Sequence, residues 1–128
     1  MAEVASRALS PATNDPGTAL DVIGRQTRLL SHWAEGRDNV EVQYPRLHLS
    51  PLREADLFED AFMLLARDGA GLIEIQLRLQ KSLQALQNIG NAAFRSAARD
   101  QAEMARHRAL SGLTHDCDKQ RLDRVIRT

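Results

Sequence analysis

The side chains best able to do chemistry crowd into one short stretch, Arg7 to Thr18. It holds a guanidinium at Arg7, hydroxyls at Ser10, Thr13 and Thr18, an amide at Asn14 and a carboxylate at Asp15. Beside the free N–H groups of a helix start, such a set could hold an anion or a small polar molecule. The residues of that candidate site are Arg7, Ser10, Asn14, Asp15 and Thr18. The plainer reading is a corner between two helices. Ser10-Pro11 stops a preceding helix, because proline disfavours the α conformation of the residue before it. Asp15 then suits the N-cap of a new helix and Pro16 its first position, where no N–H is needed. An Arg7–Asp15 ion pair across the bend would brace it. Ser10 does not read as a nucleophile, since no G-x-S-x-G elbow surrounds it.

Other reactive groups are scattered. His107, His115, Asp116, Cys117 and Asp118 are possible metal ligands, but their spacing does not put a ligand set on one helix face. No metal and no cofactor is implied. Cys117 as a catalytic thiol would need a base and an electropositive setting. Arg95, Arg99, Arg106 and Arg108 fall in one segment, interrupted by Asp100 and Glu103. Without interleaved aromatics they read as a solvated face, with no nucleic-acid partner.

The corner also carries a resemblance. Arg7, Ala8, Leu9, Ser10, Pro11, Asn14, Asp15, Pro16, Thr18 and Ala19 resemble the signature of a bacterial family of predicted membrane proteins, domain of unknown function 2254. Ala61-Phe62 and Arg78-Leu79 are similar to its later pattern. The resemblance implies a soluble region following membrane helices of a longer parent in the bacterial inner membrane, with the cytoplasmic side as the expected location. It implies no activity.

Composition agrees with a helical domain. The chain has 128 residues, enough for one domain that buries about two thirds of its unfolded surface. Seventeen basic residues balance 17 acidic ones, so no bulk attraction to nucleic acid or acidic lipid is expected. All the basic residues but Lys81 and Lys119 are arginine. Cys117, the one cysteine, excludes an internal disulfide. No run of about twenty apolar residues is present, and the start has no signal-peptide pattern.

Periodicity then places the elements. Ala2 to Leu9 make a short helix, frayed or packed on a neighbouring molecule. Pro16 to about Glu35 carry the stripe Ala19, Val22, Ile23, Thr27, Leu30, Trp33 and Ala34. Gly24 within that helix suggests a close helix contact, and Gly36 an end. From Asp38 to Leu49 the pattern alternates, which suggests a hairpin or a single extended arm. Ser50-Pro51 would open a third helix to Arg67, burying Ala55, Phe58, Ala61, Phe62 and Leu65. The fourth, from Gly71 to about Ile89, has the longest apolar seam and should lie at the centre. Gln76, Gln80, Gln84 and Gln87 make its polar face. The fifth covers about Ala92 to Leu110, with Phe94, Ala97, Ala98, Gln101, Met104, Ala105 and Arg108 along one side. Asp116 or Thr114 would cap a short last helix.

The expected fold is mainly α, a bundle of about four main helices with a short β-hairpin or extended arm after the second. The expected role is a non-catalytic assembly or regulatory part of a membrane protein. The alternative is a small-molecule or anion-binding domain, conceivably catalytic, at the Arg7 to Thr18 corner. A homodimer through the fourth helix's seam and the fifth helix's alanine face is also expected.

Overall fold

The computed structural model describes residues 1–10, 13–36 and 52–128. They form six α-helices: α1 (Ala2–Ala8), α2 (Pro16–Gly36), α3 (Glu54–Asp68), α4 (Ile73–Leu86), α5 (Ala92–Gly112) and α6 (Asp116–Arg127). Among the described residues there is no strand. The hairpin or arm expected over Asp38 to Leu49 lies outside them, as do Ser50 and Pro51. The mainly helical class holds, with α2 to α5 as the four longer helices and α1 and α6 as short ones at either end. Both short end helices pack on the bundle.

α4 is the central helix, touching α2, α3, α5 and α6. Its seam Ile75, Leu79, Leu83 and Leu86 is buried. These side chains join Val22, Ile23 and Leu30 of α2, Phe58, Phe62 and Leu65 of α3, and Phe94, Ala97, Ala98 and Ala105 of α5 in one core. Three rings pack at its heart. Phe94 meets Phe58 edge-on at 4.9 Å between centroids and stacks with Trp33 at 6.2 Å. Gly90 makes room for Phe94: with φ of 74° it takes a conformation open mainly to glycine, and a Cβ there would lie 2.9 Å from the ring. Asn91 follows as the N-cap of α5, its side-chain oxygen accepting from the Phe94 N–H at 2.9 Å.

The glutamines of α4 do more than line a polar face. Gln76 and Gln80 are buried. Gln76 donates from Nε2 to the Gly69 carbonyl at the end of α3, Gln80 to the Ala102 carbonyl of α5, and Gln84 to the Val125 carbonyl of α6. One helix thus sends amide donors to main-chain acceptors on three neighbours. Each such bond adds a directional contact, typically worth about 0.5–1.5 kcal/mol, to the apolar packing.

Several expected contacts differ in detail. Among the described residues Gly24 meets nothing within 4 Å, so no close approach to them occurs there. The close approach is at Gly112, where a Cβ would lie 2.7 Å from the Ala70 carbonyl carbon. Ala55 and Met104 face solvent, and Ala66, Ala102 and Ala109 are buried beside their expected neighbours. α3 begins at Glu54, after the N-cap Arg53. α6 begins after His115, which makes no side-chain cap. It adds a satellite cluster of Ala109, Leu113 and Leu122, flanked by Ile73, Leu77 and Ile126.

Candidate functional site

The corner is built from main-chain bonds at the end of α1. Ser10 N–H donates to the Arg7 carbonyl, and the Ser10 carbonyl accepts from Thr13 at 3.1 Å and Asn14 at 2.8 Å. The Asp15 N–H reaches back to the Ala8 carbonyl at 2.6 Å, which pins the start of α2 to the end of α1. Asn14 turns the chain at φ of 42°. Asparagine tolerates this left-handed conformation better than most residues, so its place in the motif has a backbone explanation.

Asp15 sits directly before Pro16 and caps α2, as the sequence suggests. Its Oδ1 accepts from the Thr18 N–H at 3.2 Å and its Oδ2 from the Thr18 hydroxyl at 2.6 Å. The Thr18 hydroxyl and N–H, acting against slight desolvation, hold the Asp15 carboxyl below the usual carboxylate range. The carboxylate also complements the positive end of α2. An anion placed there would meet a like charge.

The five candidate residues lie within one turn-and-cap unit. Arg7, Asn14 and Asp15 are exposed, and Ser10 and Thr18 half-buried. Among the described residues, Ser10 Oγ reaches only Thr13 Oγ1, at 3.3 Å. The Arg7–Asp15 brace does not form: Asp15 takes its partners from Thr18, and Arg7 pairs with no described carboxylate.

A different brace ties α1 down. The Ser6 hydroxyl donates to Asp68 Oδ2 at the end of α3, and Arg67 Nε donates to Asp68 Oδ1 at 2.9 Å. Arg67 holds the Asp68 carboxyl below its usual range; partial burial opposes this and Ser6 adds to it. With Ala2, Ala5, Ala8 and Leu9 buried, α1 packs on α2 and α3 of its own chain. The expectation of a frayed first helix, or one resting on a neighbour, is thereby corrected. Ser6 and Asp68 are 62 residues apart, and neither carries a local signal of the pairing.

The remaining reactive groups stay apart. Among the described residues no group of three or more His, Cys, Asp or Glu side chains could hold a metal ion. Cys117 is exposed on the first turn of α6. His32 lies at the surface 4.0 Å from Glu35. The faces expected to form a dimer are spent inside the molecule, since the α4 seam and the α5 alanines Ala97, Ala98, Ala102, Ala105 and Ala109 are buried. The apolar surface left open is elsewhere. A groove of about 620 Å³ runs between α1, α2 and α3, lined mainly by apolar side chains such as Leu29, Trp33, Leu57 and Leu64, with Glu3, Gln26 and Asp60 among them. Leu29 is 54% exposed there.

No helix among the described residues is long and apolar enough to cross a membrane. Neither the curated proteins nor the solved structures contain a match to the chain. The model of a family described as "Predicted membrane protein (DUF2254)" matches residues 1–85, from α1 through nearly all of α4. With two thirds of its length so matched, and the Arg7 to Ala19 motif inside the match, the chain belongs to this family of predicted membrane proteins.

Proposed function

We propose that this chain is a non-catalytic helical module of a membrane protein, serving its assembly or regulation, and that it self-associates through the α1–α2–α3 face. The observation that carries this reading is the open apolar groove beside Leu29 and Trp33. The packing of the corner supports it as well, because the Asp15 carboxylate is committed to capping α2. A two-fold pairing would set the groove of one copy against the same surface of the next. A stable interface of this kind buries more than about 1,000 Å² in total.

Sedimentation velocity at micromolar concentration tests this. The parent should sediment as a dimer. Leu29→Glu should be monomeric and still folded, its melting temperature lowered only by the stabilisation that association gave the parent. A strictly monomeric parent overturns self-association. The second reading, anion or small-molecule binding by Arg7, Ser10, Asn14, Asp15 and Thr18, draws on the unpaired Arg7 guanidinium. It requires a ligand-induced rise in melting temperature that Arg7→Gln abolishes.

A further inference from the structure

The balanced total charge conceals a separation along the chain. Residues 1–77 hold twelve acidic and seven basic side chains, whereas residues 78–128 hold ten basic and five acidic. Folding gathers part of that basic surplus. A cleft of about 370 Å³ opens between α4, α5 and α6, with Arg99, Arg106 and Arg127 in its walls. Two further grooves share lining residues with it, one through Arg127 and Asp123 and bringing in Arg124, the other through Gln84 and Gln87 and bringing in Lys81. Five cations therefore line this cleft and the two grooves that share lining residues with it, together with the side-chain carboxylates of Glu103 and Asp123.

Only one of the five is neutralised. Arg106 pairs with Asp123 at 3.2 Å. Arg99, Arg124, Arg127 and Lys81 have no described carboxylate within ion-pair distance of their charged groups. Gln87 adds an amide at the rim. Guanidinium groups and an amide around a solvated cleft suit the oxygens of a phosphate ester. The lining holds no aromatic side chain on which a nucleic-acid base could stack. Membership of a family of predicted membrane proteins places a bilayer within reach at high effective concentration.

We propose that the α4–α5–α6 cleft docks on an anionic phospholipid surface, its arginines taking the phosphate headgroups. The net-negative residues 1–77 are repelled by the same surface, so the charge separation orients the module as well as attracting it. α5 and α6 lie beyond the part of the chain that the family model matches. This interaction therefore goes beyond the self-association proposed above and involves a different surface.

The test is co-sedimentation of the full chain with vesicles of phosphatidylcholine alone or mixed with phosphatidylglycerol. Binding should require phosphatidylglycerol and fall as salt rises. Each basic side chain near such a surface is worth about five-fold in affinity. The triple variant Arg99→Gln, Arg124→Gln, Arg127→Gln should therefore bind about a hundred-fold more weakly, and the matching triple lysine variant should still bind. Arg28→Gln with Arg53→Gln, on α2 and before α3, should bind like the parent. Melting curves establish that every variant is folded. Equal binding to neutral vesicles, or undiminished binding by the triple glutamine variant, overturns the proposal. So does binding of inorganic phosphate or of a single-stranded oligonucleotide without binding of anionic vesicles.

Discussion

Replacing Phe94 by alanine tests whether α5 completes the core of the family-matched segment. Phe94 is 1% exposed, with the Phe58 ring edge-on at 4.9 Å and the Trp33 ring stacked at 6.2 Å. Truncating a buried phenylalanine costs about 3–5 kcal/mol through lost transfer energy and the cavity left behind. Each aromatic pair contributes roughly 0.5–1.5 kcal/mol within such a loss. Against a usual total of about 5–15 kcal/mol, the variant should be folded but fragile. Its melting temperature should fall by on the order of 10–20 °C. Phe94→Leu, which keeps most of the volume, should cost much less. Urea titration followed by circular dichroism and by emission of Trp33, the one tryptophan, measures both overall unfolding and the ring cluster. The two signals should change together in the parent. A loss below about 1 kcal/mol in Phe94→Ala, or a Trp33 transition separate from helix loss, would refute a shared core.

Gly112→Ala should destabilise by about 1–3 kcal/mol through overpacking, because its Cβ would meet Ala70 main-chain atoms at 2.7–2.8 Å. Gly24→Ala, where nothing among the described residues lies within 4 Å, should instead stabilise by up to about 1 kcal/mol; thermal melts of the two should move in opposite directions. Asp15 and Asp68 both have carboxyls held below the usual range. Their stabilisation is therefore fully present above the unfolded-state value of about 4 and is lost as pH falls through the lower folded values. Melting temperature measured from neutral to acid pH should drop in that window, and Asp15→Asn with Asp68→Asn should flatten the drop. An identical acid limb in parent and double variant would show that other groups control it.

The helices, the corner and its cap were legible in the sequence because their causes are local. A repeat of 3.6 residues marks the buried stripes of α2, α4 and α5. Asp15, Pro16 and Thr18 act within a single turn, and Gly90-Asn91 opens α5 by the same kind of short-range chemistry. The family motif lies in that local layer too. What sequence alone left open was which surfaces meet. The Ser6–Asp68 bond and the reach of Gln76, Gln80 and Gln84 to carbonyls on three helices depend on crossing geometry, which periodicity does not encode. The same packing consumed the α4 seam and the α5 alanines, moving the open apolar surface to α1, α2 and α3. Charge follows this division as well. A total of zero is a property of composition, whereas the cleft around Arg99, Arg106 and Arg127 exists only because α6 folds back onto α4.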